Sequence, residues 1–432
     1  MNADGLFDNL LVQKYGGSSV ATPNNIRAVA ECIASRLPEH PQIVVAVSAM
    51  GKTTDQLIEM ARQVSSNPRG REMDLLLACG EQIAVSMVGL ALQERGIPAV
   101  SLTATQCGIH TDGSFNRARI RTVETRRLVS ELKTGQVVIV AGFQGVTEDH
   151  DVTTLGRGGG DITGAALAAA LQAKVYENCT DVDGVYTADP KLVPDARHIA
   201  ELSYEECIEM AASGAKVLHP RAAEICMQYN IPILVRSSFN SQAGTWVRQG
   251  AAMMERASVV GVTTDKKVAK VTLLDVRDQP GTAARVFQDL ADAEINVRLI
   301  IQAAPSHDRN RITFVMDLEY VDALQALVPH WKKERVAGQV DVDTDVAKIA
   351  IVGSRIASTP GLAARMFTAL AENDINIDCI STSEMKVACI ISQKNLDQAV
   401  KAVHAAFFDL LAQPSAAKSV KGVKKKTASR KR

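Results

Sequence analysis

Short apolar runs rich in β-branched residues recur at positions 10–15, 43–48, 137–141 and 231–235, with helix-length segments between them. A run without polar alternation fits a strand buried on both faces. The pattern therefore predicts parallel strands with helices packed on either side. Thr22-Pro23 marks a helix start, since threonine can cap a first turn and proline needs no amide partner there. Residues 73–93 are predicted as a longer apolar helix, largely buried.

The texture changes near Gln249. Beyond it PGTAARVFQDLADAEINV at 280–297 and PGLAARMFTALAENDINI at 360–377 share 10 of 18 positions at an offset of 80 residues. Each copy follows an apolar strand (269–274; 347–352) and precedes two more (296–302 and 311–317; 376–381 and 386–392), then a second helix. That order is β-α-β-β-α-β, the ferredoxin-like arrangement, twice. A Pro-Gly turn exposes the amides of the helix after it. In one copy this is only a tight turn, whereas in two it points to sensing of a small ligand.

Composition narrows the classes. Forty-eight basic residues balance 48 acidic ones, yet eight of the cations lie in 418–432 without an acid, leaving 40 against 48 on residues 1–412. The body is acidic, so nucleic acid is not an expected partner, and the tail at 413–432 reads as a solvated, disordered end. Eight cysteines form no C-x-x-C pair, which excludes a zinc ribbon or thioredoxin-type site and fits reduced thiols in the cytoplasm. Residues 1–9 lack a basic segment leading into an apolar core, and no 18-residue apolar run occurs, so neither secretion nor membrane spanning is expected. No histidine pair has metal-ligand spacing and no G-x-S-x-G elbow is present, which disfavours zinc and serine hydrolases.

Three loops carry candidate chemistry. Lys14-Tyr15-Gly16-Gly17-Ser18-Ser19 follows the first strand, where glycine amides can converge on an anion beside a lysine, although a plain turn has the same letters. Its spacing is not that of a Walker A loop. Leu155 to Asp161 gives a second glycine nest at the start of a helix over 162–172, with Asp161 either capping that helix or orienting a lysine. Residues 180–191 follow a strand beginning near Lys174; Tyr186 there suits an adenine ring and Lys191 a phosphate, while a polar surface turn reads alike. Lys216 is a further cation, at a site or merely solvated. No general base is evident. A carboxylate acceptor needs none, because it is already ionised at neutral pH.

In their order these elements resemble aspartokinase: VQKYGGSS at 12–19, VSAMGKTTD at 47–55, TLGRGG at 154–159, TDVDGVYTADP at 180–190 and GAKVLHP at 214–220. The resemblance runs from Val12 to about Leu410, and the C-terminal repeat is similar to paired ACT domains. It implies an α/β amino-acid-kinase three-layer sandwich at 1–248, followed by ACT units at 265–343 and 344–412. It also implies transfer of the γ-phosphoryl group of MgATP to the side-chain carboxylate of L-aspartate, the first step toward lysine, threonine and methionine. Lys14 would neutralise the moving phosphoryl group and Asp161 would hold that lysine. Gly16, Gly17 and Ser18 would cradle phosphate, with Thr180, Asp181, Tyr186, Lys191 and Lys216 lining the nucleotide site. Arg157 would clamp the α-carboxylate of aspartate and Glu81 its ammonium, with Ser48 and Thr54 nearby. No protein metal site is implied beyond the Mg2+ that accompanies ATP.

ACT units of this kind imply a homo-oligomer, a dimer or dimer of dimers, and an amino-acid effector, lysine and/or threonine. Asp278, Gly281, Asn296, Gln302, Ser381 and Glu384 are the effector candidates. Three positions depart from the family pattern. Gly160 stands where serine is usual, Asn178 where an apolar residue is common, and Arg298 where many relatives carry an acid that Asp378 keeps in the second copy. Gly160 is expected to slow turnover, Asn178 to require a buried partner, and Arg298 to repel an effector's ammonium group. The alternative function is a catalytically weak or silent amino-acid sensor of the same fold.

Overall fold

The structure, a computed structural model, describes residues 7–215, 217–250, 258–302 and 309–409. Lys216 and the tail at 413–432 lie outside them.

The strand Leu11–Tyr15 runs through the middle of an eight-stranded sheet, in parallel register with Ile43–Val47 on one side and Val175–Thr180 on the other. Helices cover both of its faces, which is why the run has no polar alternation. Val12, Val44, Ala46 and Val140 pack toward Ala165 and Ala168 of helix Gly159–Leu171. Leu11, Tyr15, Val45 and Val47 pack toward Ile26, Val29 and Ile33 of helix Pro23–Arg36 and toward Val85 and Val88 of helix Arg71–Glu94. Val137–Ala141 and Ala99–Leu102 extend the sheet one way; Ile233–Ser237, Thr245–Val247 and Glu201–Leu202 extend it the other. Thr22 caps the first long helix, its hydroxyl accepting from the Asn25 amide at 3.2 Å, with Pro23 in the first turn.

Helix Arg71–Glu94 is less buried than its composition predicts. Met73, Leu77, Val85, Val88 and Leu92 face the core, whereas Leu75, Ile83 and Leu90 are 47%, 55% and 61% exposed, because no further layer covers the outer face. By length and composition alone it is the one helix among the described residues that could cross a bilayer, and half of its apolar window is buried in the fold. A small sheet built from Ile109–Thr111, Ile120–Val123, Gln144–Val146 and Val152–Thr154 was not foreseen, since its strands are short and partly polar.

Both repeats fold as expected in outline. The first runs Val268–Arg277, Thr282–Asp292, Val297–Gln302, Arg309–Asp317, Val321–Lys333 and Gln339–Asp343, and its four strands form one sheet with Val268–Arg277 and Arg309–Asp317 inside. The second copy (Val346–Ser354, Leu362–Ala371, Cys379–Ser383, Lys386–Ser392, Leu396–Phe408) takes its fourth strand from Ser258–Asp265, which precedes the first unit and pairs antiparallel with Val346–Ser354. The connector out of the kinase region is thus structural. Val268 and Val315 of one unit share an apolar cluster with Val346 and Ile390 of the other, and Lys270 bridges Asp343 and Asp378.

Candidate functional site

Parallel strands end together, so the loops leaving them are delivered to a single edge. At the carboxyl edge of the central sheet, Lys14 of the first strand leads into Gly16 and a short turn at Gly17–Val20; Ser48 follows Ile43–Val47, and Thr180 ends Val175–Thr180. The approach is close. A Cβ on Gly17 would stand 2.8 Å from the Ala49 carbonyl oxygen, and one on Gly16 3.2 Å from Lys14 Nζ.

Lys14 Nζ lies 2.7 Å from Asp161 Oδ1, with both side chains nearly buried. Asp161 is in the first turn of helix Gly159–Leu171, but Gly158 is the N-cap, so the carboxylate orients the lysine rather than capping the helix. Its other oxygen accepts the backbone amide of His219 at 2.9 Å. Gly156 and Gly158 both have φ of +78°, and a Cβ on Gly158 would come within 2.4 Å of the His219 ring. Between them Arg157 is exposed, with no ion-pair partner among the described residues, and it shares a cavity of about 830 Å³ with Asp161 and His219.

Glu81, on the long helix, is 2% exposed. Its Oε1 accepts the Ala49 amide at 2.9 Å, while Oε2 is buried without a partner among the described residues. Burial raises its carboxyl to about 7, against the pull of that amide. A buried, half-satisfied carboxylate is an acceptor waiting for a cation. Thr54 stands in the first turn of helix Thr53–Val64, directly after the Ser48 segment.

The third loop leaves the sheet at Thr180, whose hydroxyl bonds Asp181 at 3.1 Å. Tyr186 lies in a small hairpin of Val185–Tyr186 with His198–Ile199, edge-on to the His198 ring at 5.4 Å, and Lys191 is exposed beyond it.

Gly160 and Asn178 acquire physical reasons. The space a side chain would take at Gly160 is filled by Ser48 Oγ. Asn178, paired in register with Lys14, donates from Nδ2 to the Val217 carbonyl at 2.9 Å, while its Oδ1 is buried without a partner among the described residues, so the partner its burial demands is found for one of its two polar atoms. Two residues that position the site were not anticipated. Buried Asp74 accepts from the Thr154 amide at 2.7 Å, the Thr154 hydroxyl at 2.8 Å and the Asn116 amide at 2.9 Å, which fixes the strand feeding the Arg157 loop. Its signal was an acid on the apolar face of residues 73–93. His219, the N-cap of helix Pro220–Tyr229, was signalled by standing before a proline, as Thr22 does.

Of the effector candidates, Asp278, Gly281 and Gln302 share a cavity of about 430 Å³ in the first repeat, with Asn310, which sequence reading missed. Asn310 Nδ2 donates to Asp278 at 2.7 Å. Asn296 is exposed outside that cavity, and Ser381 and Glu384 belong to the second repeat. Arg298 lies in the cavity beside Arg157, ion-paired with Asp265 at 2.8 Å and with Asp317, and is not among the residues lining the Asp278 cavity.

Comparison with known proteins agrees with this arrangement. The chain matches the amino acid kinase family over residues 9–237 and the ACT domain over 270–335 and again over 349–407. It is 42% identical over 407 residues to aspartokinase 2 of Bacillus subtilis, covering 94% of this chain and 99% of that one. It is 46% identical to the aspartokinase of Mycolicibacterium smegmatis, covering 92% and 96%. In fold it resembles E. coli aspartokinase III, solved in complex with aspartate and ADP, with a TM-score of 0.77 at 24% identity over 93% of this chain and all of that one.

Proposed function

Since the chain belongs to the amino acid kinase family and, within it, to the aspartokinases with two ACT domains, we propose which of its groups carry phosphoryl transfer from ATP to the side-chain carboxylate of L-aspartate. The observation that carries the reading is the 2.7 Å pair of Lys14 and Asp161 at the edge where the glycine turns converge.

Both reactants are anions, so the site must first bring them together. Amides of Gly16, Gly17 and Ser18 cradle phosphate. Lys14, held by Asp161, presents its ammonium to the moving phosphoryl group, and Arg157 offers a fork to the α-carboxylate. The free oxygen of Glu81 takes the substrate ammonium, with Ser48 and Thr54 beside it. The acceptor carboxylate attacks unassisted by a base, because it carries no proton to lose. Thr180, Asp181, Tyr186 and Lys191 line the nucleotide side. No group of three or more His, Cys, Asp or Glu side chains that could hold a metal ion stands among the described residues. A Mg2+ ion bound with ATP would help neutralise phosphate charge.

Asp278, Gly281, Gln302 and Asn310 form the effector pocket in this reading, for lysine or threonine. Ile300 and Ile380, one repeat apart on the edge strands Val297–Gln302 and Cys379–Ser383, are 53% and 45% exposed. Such open apolar edges support pairing with a second copy. Eight free thiols fit the reducing cytoplasm.

A silent sensor is the weaker reading, since the chain keeps the Lys14–Asp161 pair that transfer uses in this proposal. The deciding experiment supplies purified protein with MgATP and aspartate and traps acyl phosphate as the hydroxamate. Absence of product while both substrates bind would refute the assignment.

A further inference from the structure

We propose that His404, in the last helix of the second regulatory unit, is a positioning residue for the nucleotide, acting through Thr187. The inference rests on reading residues 180–191 as the nucleotide loop.

That loop does not end as a free turn. After Tyr186 it crosses to the regulatory unit, and Thr187 is held on every side. Its amide donates to the Arg197 carbonyl at 2.9 Å, its carbonyl accepts the Val262 amide at 2.7 Å, and its hydroxyl accepts the Arg197 amide at 2.9 Å. The same hydroxyl lies 2.9 Å from His404 Nε2, in a contact where Thr187 is 7% and His404 2% exposed. Ala188 and Val193 are buried in the apolar cluster of the second unit, with Ile349, Ile351 and Val403. Arg197 Nη2 donates to the Phe408 carbonyl at 2.6 Å, and the Phe408 ring stacks on that of His404 at 4.7 Å.

A segment of the kinase region is therefore built into the regulatory core, and its junction is the residue next to Tyr186. Displacement of helix Leu396–Phe408 moves Thr187 first and Tyr186 with it. Lys14 and Arg157 stand on other loops. The contact consequently bears on ATP and not on aspartate, and it gives the second unit its own handle on one substrate.

The test uses the full chain and compares His404→Leu, His404→Gln, Thr187→Val and Tyr186→Ala. Initial rates are measured against each substrate, and ADP binding is measured by calorimetry. His404→Leu is expected to raise the KM for ATP and the Kd for ADP five- to twentyfold, with the KM for aspartate within twofold. Glutamine places an amide near the Nε2 position, so His404→Gln should restore most of the affinity. Thr187→Val should match His404→Leu, and the double variant should be no worse than either. If Thr187→Val and His404→Leu, or Thr187→Val alone should His404→Leu misfold, left ADP affinity unchanged, the coupling would be overturned. It would be equally overturned if both substrates weakened together and glutamine gave no rescue. Tyr186→Ala separates the premise from the inference. Weakened ADP binding there with none in Thr187→Val leaves the nucleotide loop standing and removes His404 from it. Unchanged ADP binding in Tyr186→Ala removes both.

Discussion

A Cβ added to Gly160 would stand 2.4 Å from Ser48 Oγ and 3.4 Å from Lys14 Cε. The missing hydroxyl at 160 is thus matched by one supplied from the loop after strand Ile43–Val47, and the two positions have to be read together. Gly160→Ser is expected to rotate the Ser48 side chain, raise the KM for aspartate severalfold and change stability by less than about 1 kcal/mol, since only a flexible tip must move. Steady-state rates with a thermal melt check this. An unaltered KM would remove Ser48 Oγ from the substrate site.

Replacing Lys14 by arginine keeps the charge but moves the donors into a planar fork that cannot present a single point charge where the ammonium stands. Turnover should fall by about 100-fold or more, on the scale of a lost electrostatic contact to the transition state, with ADP affinity much less affected. Single-turnover rates and ADP calorimetry separate the two.

Glu81 should make aspartate binding depend on pH. Its folded pKa, about 7, lies above the ordinary 4.5, so the empty site holds a proton on this carboxyl below neutrality. Binding an ammonium requires that proton to leave, and the KM for aspartate should rise as pH falls below 7. The stability sign comes from linkage. A raised carboxyl pKa favours the folded state most below pH 4.5, and that advantage is lost as pH rises through 7. Glu81→Gln should therefore melt higher than the parent at pH 8 without ligand, by an amount on the order of 2 kcal/mol, while losing aspartate affinity. A parent and variant with equal melting temperatures at pH 8 would contradict the buried, unpaired state of Oε2.

Gly158 has positive φ and touches His219, whose amide holds Asp161. Gly158→Ala should cost about 1–3 kcal/mol through backbone strain and crowding and lower turnover about tenfold by loosening the Lys14–Asp161 pair. Turnover within twofold of the parent would show that His219 does not set that carboxylate.

Asp278→Ala should raise the concentration of inhibiting amino acid needed for half-inhibition tenfold or more, because the Asp278 carboxylate is the anion of its cavity and an effector brings an ammonium. Initial rates in the presence of lysine and of threonine identify which amino acid is read there.

Much of the architecture was legible from order and spacing. Residues 137–141 and 386–392 are strands over the ranges their apolar letters mark, because continuous burial leaves an unbroken apolar signature. The strand Ile120–Val123 of the small sheet left none, being short and part-exposed. Lys14, Asp161 and Arg157 could be singled out as charged groups beside glycines, whereas Glu81, inside the long helix, came only from the family resemblance. The letters left Asp161 open between capping its helix and orienting a lysine, the resemblance implied the lysine, and the 2.7 Å pair with Lys14, together with Gly158 as N-cap, decides it.

The chain alone determined which elements form, how often they repeat and which letters stand at the ends of strands, since those depend on local periodicity and turn chemistry. Tertiary structure decided partnership across distance. It brought residues 14 and 161 into one ion pair, set Ser48 against Gly160, turned Arg298 toward Asp265 and away from the Asp278 cavity, and lent Ser258–Asp265 to the second regulatory sheet. Burial is the reason in each case. A polar group or strand edge removed from water must find whatever partner the packed fold places within reach, and sequence separation does not enter that requirement.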